Sequence, residues 1–163
     1  MNGLLVSNTG PIIALAGIAR LELLRSILFP IFVPDAVNDE IRRGRDNEPA
    51  LAAIDAASWI QTRNLSRGPD RLLLRTLDIG EASVIALALE TQANWVLIDE
   101  RKGRKIASEI YGLRVIGTAG LLVHAKRRGL LPSVKTPLSA MRRNGYWLHE
   151  AIMSWALREA GEK

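Results

Sequence analysis

The chain contains no cysteine, which excludes disulfide scaffolds, Cys-ligated metal centres and thiol nucleophiles and fits a cytoplasmic protein. Its two histidines, His124 and His149, cannot furnish a His-rich metal site. Aromatic side chains are scarce, at four Trp, two Tyr and two Phe, so no stacking platform for unpaired bases is evident. No apolar run approaches the roughly 20 residues that a membrane helix requires, and the first residues lack the basic stretch and apolar core of a signal peptide. There is no GxxxxGK[ST] or GxGxxG loop to cradle a nucleotide phosphate, and no GxSxG turn to expose a serine nucleophile. The expectation is a chain without a membrane partner whose chemistry rests on carboxylates, amides and cations.

What is present is enough for one good core. At 163 residues and 48% hydrophobic, the chain has the size and composition of a single domain, residues 1–163. Lys and Arg number 22 against 17 Asp and Glu, a net charge of +5, and the sequence pI is about 10.1. A basic excess favours a polyanionic partner such as RNA or DNA, although on its own it can serve solubility alone.

Short apolar runs alternate with helical stretches along the chain. Leu4-Leu5-Val6 reads as a buried strand that ends in the turn formers and helix caps Ser7 to Pro11. Apolar residues at helical spacing follow over 12–19 and 21–28, joined at Gly17. Ile31 to Pro34 is a second strand, and 35–43 a helix that stops at Gly44. A polar loop over 45–49, a helix over 50–57 and a strand over 59–62 come next. After a Ser, Gly and Pro loop, helices are expected at 72–77 and 81–91. Trp95 to Ile98 is the clearest buried strand. A helix over 101–111, a strand over 113–116 and a helix over 118–128 follow. Two C-terminal helices, together spanning about 133–160, are expected to pack on the domain. Trp59 and Trp95 read as core, His149 as surface. In the last helix the stripe of Leu148, Ile152 and Trp155, with Trp147 and Ala151 beside it, reads as a packing face, with a dimer or partner surface as the alternative. This alternation predicts an α/β fold: a mostly parallel central sheet with helices on both faces, a three-layer sandwich.

In such sheets ligands bind at the carboxyl ends of the strands, and there the sequence places its acids. Asn8 follows the first strand, and Asp99 and Glu100 follow Trp95 to Ile98. Glu81 opens a helix after Gly80, and Glu40 sits in the helix after the second strand. Carboxylates gathered in a small space repel one another unless a hard cation such as Mg²⁺ or Mn²⁺ neutralises them. Taken singly, Asp99, Glu100 and Glu81 read equally well as helix caps or first-turn acids, and Glu40, followed by Arg42 and Arg43, as a solvated helix face.

Three segments carry a resemblance. Val6-Ser7-Asn8-Thr9-Gly10-Pro11-Ile12-Ile13-Ala14-Leu15, Gly80-Glu81-Ala82-Ser83-Val84-Ile85-Ala86-Leu87-Ala88, and Leu97 to Ala107 with Gly117-Thr118-Ala119-Gly120 after it resemble a branch of PIN-domain proteins described as nucleic-acid-binding relatives of toxin nucleases. With Val33-Pro34 through Glu40 and the ending Gly145-Tyr146-Trp147, the resemblance spans nearly the whole chain. It implies a five-stranded parallel sheet in the order 3-2-1-4-5 and a metal site at Asn8, Glu40, Glu81 and Asp99, with Glu100 as a helper. Glu40, Glu81 and Asp99 are then the implied catalytic acids, acting with Mg²⁺ or Mn²⁺ on RNA. The resemblance also implies a toxin role with an antitoxin as protein partner. Asn8 departs from the family pattern, which has Asp there; an amide oxygen can ligate a hard cation but brings no charge.

Arg101, Lys102, Arg104 and Lys105 closely follow Asp99 and are candidate phosphate contacts, with Arg42, Arg43 and Arg45 extending a positive rim. Lys126, Arg127 and Arg128 suit the C-terminus of their helix. Three functions compete at this point: a metal-dependent endoribonuclease, a nucleic-acid-binding module that no longer cuts, and a phosphatase-like or nucleotide-binding α/β protein, the last unsupported by any phosphate loop.

Overall fold

A computed structural model describes residues 1–44 and 48–163. Five strands carry the fold: β1 (Leu5–Ser7), β2 (Ile31–Pro34), β3 (Ile60–Arg63), β4 (Trp95–Leu97) and β5 (Val115–Ile116). Helices α1 (Thr9–Gly17) and α2 (Glu22–Ile27) lie between β1 and β2, and α3 (Asp35–Arg43) and α4 (Glu48–Ala56) between β2 and β3. Next, α5 (Arg71–Thr76) and α6 (Ile79–Thr91) lead to β4, and α7 (Arg101–Lys105) leads towards β5. The chain ends with α8 (Thr118–Arg127), α9 (Lys135–Arg143) and α10 (Glu150–Glu159). All strand pairs are parallel, in the order β3-β2-β1-β4-β5. The α/β class and the order 3-2-1-4-5 expected from the sequence are those of the protein.

The strands β1, β2 and β4 are short and apolar because helices cover the sheet, whereas the edge strand β3 is polar and partly exposed. Leu5, Val6, Val96 and Leu97 have no exposed surface. Every residue of α6 from Gly80 to Ala88 is buried, as expected of a helix that is apolar all round. It packs against β1, β2, β4 and α3. Ser7 lies opposite Leu97 in the register of β1 and β4, and the Asn8 N–H donates to the Leu97 carbonyl at 3.0 Å. The two central strands therefore release the chain side by side, one at Asn8 and the other at Asp99.

Four expectations need correction. The helix expected over 101–111 is α7 followed by a π-helical turn at Ile106–Ile110; this wider turn lets the Leu113 N–H reach the Ala107 carbonyl at 2.9 Å and feeds the chain into β5. The last helix begins at Glu150 rather than Trp147, because His149 is its cap and accepts from the Ala151 N–H at 3.2 Å. Its buried residues are Met153 and Ala156, so the expected packing stripe is only partly right. Leu148 is buried, but Ile152 and Trp155 are each 40% exposed and Trp147 is 77% exposed. Finally, Trp59 and Trp95 are half-buried rather than core; Arg25 lies 5.5 Å from the ring centre of Trp59 and Arg114 5.6 Å from that of Trp95, which shields their faces. Arg45 and the start of the expected 45–49 loop lie outside the described residues. Among the described residues no helix is long and apolar enough to cross a membrane.

The end of the chain is fastened by one carboxylate. Glu162 accepts from Lys126 Nζ at 2.7 Å, Ser133 Oγ at 2.8 Å, and the Val134 and Lys135 N–H groups at 2.8 and 3.1 Å. Burial opposes its ionisation, but these donors outweigh that and bring its pKa from 4.5 to about 2. A carboxyl held below its unfolded value adds stability above that value and loses it as the pH falls. The thermal midpoint should therefore drop between about pH 4.5 and pH 2. Glu162→Ala should cost on the order of 2 kcal/mol at neutral pH and flatten that part of the acid profile; an unchanged profile would remove Glu162 from the account.

Candidate active site at the carboxyl edge

The candidate residues reach this edge from the end of β1, from α3, from the start of α6 and from the end of β4. Asn8 stands at the N-cap position of α1 and makes no side-chain capping bond. Its neighbour Thr9 donates through Oγ1 to Glu40 Oε2 at 2.7 Å, which joins the end of β1 to α3. The other Glu40 oxygen lies against the start of α6. A Cβ at Gly80 would come within 2.2 Å of Glu40 Oε1 and 3.3 Å of Asp78 Oδ1. Glycine at position 80 is thus what leaves room for the Glu40 carboxylate.

Asp78 caps α6 by accepting from the Glu81 N–H at 2.8 Å. Glu81, one turn in, is only 7% exposed. Around Gly103 of α7, a Cβ would sit 3.6 Å from Glu81 Oε1 and 3.7 Å from Glu100 Oε2, so these two carboxylates share one small space. Glu100 also caps α7 by accepting from the Gly103 N–H at 2.8 Å. Burial first, then the negative charges of Asp78 and Glu100, push the Glu81 carboxyl from 4.5 up to about 7.

Asp99 is held from the opposite side. Its Oδ1 accepts from the Thr118 N–H at 2.6 Å, and its Oδ2 from Thr118 Oγ1 at 2.5 Å and from the Tyr146 hydroxyl. It thereby stands at the N-terminus of α8, where negative charge is favoured. Burial and the facing Asp99 charge push the Tyr146 phenol well above its ordinary value. Arg104 Nη1 donates to the Ile98 carbonyl at 3.0 Å. A Cβ at Gly117 would meet it at 2.6 Å and Asp99 Oδ1 at 2.9 Å, which puts a guanidinium beside Asp99.

The structure thus joins Glu40 to the segments that carry Asn8 and Glu81, and Glu81 to Glu100, while Asp99 is gripped by α8 and Tyr146. Among the described residues, no three acids or histidines close into a ready cage for a metal ion. The donor set is nonetheless all hard oxygen, and Gly80, Gly103 and Gly117 keep side-chain bulk away from it. A hydrated Mg²⁺ or Mn²⁺ asks for only one or two carboxylates beside its waters, a demand these residues meet. Of the basic residues, Arg101 and Lys102 are exposed on α7. Arg42 pairs with Asp55, and Arg43 donates to the Asp39 carbonyl at 3.3 Å.

Sequence reasoning gave no role to Thr9, Asp78, Thr118 or Tyr146. Asp78 carried a signal, since Asp78-Ile79-Gly80-Glu81 has the spacing of a helix capping box. Thr118 and Tyr146 lie 19 and 47 residues from Asp99, and no local pattern ties them to it.

A parallel sheet in the order β3-β2-β1-β4-β5 places the chain among the open α/β proteins, whose ligands generally bind at the topological switch point. Residues 4–162 match the family described as a PIN domain, and the chain belongs to that family. With it come a nuclease-type fold, nucleic-acid binding and, in the family generally, dependence on a divalent metal. No curated protein and no solved structure matches the chain.

One outcome follows from Glu81 alone. A carboxyl raised above its unfolded value lends stability below that value and loses it as the pH rises through the folded one, here between 4.5 and about 7. Glu81→Gln, which cannot ionise, should therefore melt higher than the parent at pH 8 in chelator and lose most of that advantage at pH 5. Equal melting at both values would place Glu81 in a wetter or less crowded site.

Proposed function

We propose that the chain, as a single domain over residues 1–163, is a divalent-metal-dependent endoribonuclease that hydrolyses RNA phosphodiester bonds at the carboxyl edge of its sheet. The observation that carries this reading is the crowding of Glu81. A buried carboxyl with a pKa near 7 between Asp78 and Glu100 is an unfavourable arrangement for a purely structural edge, and a suitable one for receiving a cation. Asn8, Glu40, Glu81 and Asp99, with Glu100 beside them, are the groups that would hold Mg²⁺ or Mn²⁺. Bound there, such an ion supplies an activated water and offsets the charge developing on the phosphodiester.

The chain's own residues do the rest. Glu81, crowded by Asp78 and Glu100, would give up its proton when the cation binds and then stand among the charged ligands of the ion. Arg104 stands beside Asp99 to face a phosphate, and Arg101 and Lys102 on α7, with Arg42 and Arg43 on α3, carry the positive charge outward along the backbone of the strand. The resemblance to toxin nucleases favours RNA over DNA and extends the reading to the toxin of a toxin–antitoxin pair.

Asn8 favours a second reading, a nucleic-acid-binding protein that no longer cuts, because an amide brings no charge to the metal. Cleavage of a labelled RNA with and without Mn²⁺ separates the two. On the first reading chelator abolishes cleavage by the parent, and Asp99→Asn lowers both Mn²⁺ affinity and cleavage roughly tenfold to a hundredfold. Asn8→Asp then tightens Mg²⁺ binding and raises the rate. RNA binding without cleavage in both the parent and Asn8→Asp would establish the second.

A further inference from the structure

Tyr146 comes from the turn after α9, 47 residues from Asp99 along the chain, yet its hydroxyl ends on Asp99 Oδ2. The turn is built for this. Asn144 donates to the Gly17 carbonyl at 3.1 Å, Gly145 takes a φ of +85°, which favours glycine, and the Tyr146 N–H returns to the Met141 carbonyl at 3.0 Å. The ring passes over α1 at Gly10, where a Cβ would stand 3.4 Å from the phenol oxygen. The ring packs against the core, and with Ile13, Met141 and Asn144 it borders an open pocket of about 170 Å³.

A carboxylate offers roughly four lone-pair positions. Oδ2 of Asp99 receives two donors, Tyr146 Oη and Thr118 Oγ1, whereas Oδ1 receives only the Thr118 N–H. The remaining acceptor position is on Oδ1, the atom that faces Arg104 across Gly117. We propose that Tyr146 is a positioning residue: its hydroxyl saturates Oδ2 so that Asp99 presents Oδ1 alone, as a one-oxygen ligand. This rests on the metal-dependent reading of the edge. A one-oxygen carboxylate suits the strict octahedral shell of Mg²⁺ and Mn²⁺, whereas Ca²⁺ accepts both oxygens of a carboxylate and a looser shell. Tyr146 thereby favours the smaller ions.

The test is calorimetric titration of the full chain with Mn²⁺ and with Ca²⁺, for the parent, Tyr146→Phe and Thr118→Val. Phe keeps the ring and removes only the hydroxyl. Loss of a group that holds a ligand costs roughly tenfold to a hundredfold in metal affinity. Tyr146→Phe should therefore weaken Mn²⁺ by about tenfold or more and Ca²⁺ by less, narrowing the ratio between them, with the melting midpoint of the chelated protein little changed. Thr118→Val, which strips the other donor from Oδ2, should narrow the ratio in the same way and serves if Tyr146→Phe does not fold. A parent that binds Mn²⁺ and a Tyr146→Phe with the same Mn²⁺ to Ca²⁺ ratio would overturn the role of Tyr146 and leave the site intact. Narrowing by Thr118→Val but not by Tyr146→Phe would do the same. A parent that binds neither ion would overturn the metal-dependent reading, and this inference with it.

Discussion

Repulsion among the carboxylates of Asp78, Glu81 and Glu100 at the carboxyl edge of the sheet is the constraint around which the rest of the molecule is arranged. That edge is set by the register of two strands. With Ser7 opposite Leu97, the chain leaves both strands at the same height, and the elements that follow deliver their acids to one edge. Glu81 bears the cost, since α6 is buried along nearly its whole length and the carboxylate has nowhere to move for solvent.

The fold offsets that cost locally in three ways. Backbone N–H groups at helix starts receive acids: Asp78 on α6, Glu100 on α7 and Asp99 on α8. Hydroxyls of Thr9, Thr118 and Tyr146 occupy individual carboxylate oxygens. Glycines at 80 and 117 stand where a Cβ would collide with an acid or with Arg104, and at Gly103 a Cβ would press on Ile98. Helix capping and the gathering of acids are here the same contacts, so a capping role for Asp99 and Glu100 does not compete with a functional one. Glu100 caps α7 and crowds Glu81 with one carboxylate.

This duality explains how much was legible in the sequence. β1, β2 and β4 could be read because each is a compact apolar run, and the strand order followed from a resemblance spread over the whole chain. Asn8, Glu81, Asp99 and Glu100 could be named because they fall just after strands or at helix starts, and Glu40, inside α3, through the resemblance. Their partners could not be. Tyr146 reaches Asp99 only through the packing of α9 against α1, and Thr9 meets Glu40 only because β1 and β2 pair. The aromatic expectations failed for a related reason: Trp59 and Trp95 are covered by Arg25 and Arg114, and burial under a mobile cation is invisible to apolar periodicity. In α10 the stripe read from Leu148 assumed a helix that begins before His149; the helix begins at Glu150, and its buried residues are Met153 and Ala156.

The account stands or falls on where a divalent ion settles. Crystals grown with Mn²⁺ and measured at its absorption edge would locate the ion by anomalous scattering, independently of any substrate or cleavage assay. The account predicts a peak at the carboxyl edge within coordination distance of Asp99 and of at least one of Glu40 and Glu81, and its loss in Asp99→Asn. A peak elsewhere on the molecule, or one that survives Asp99→Asn unchanged, would contradict it.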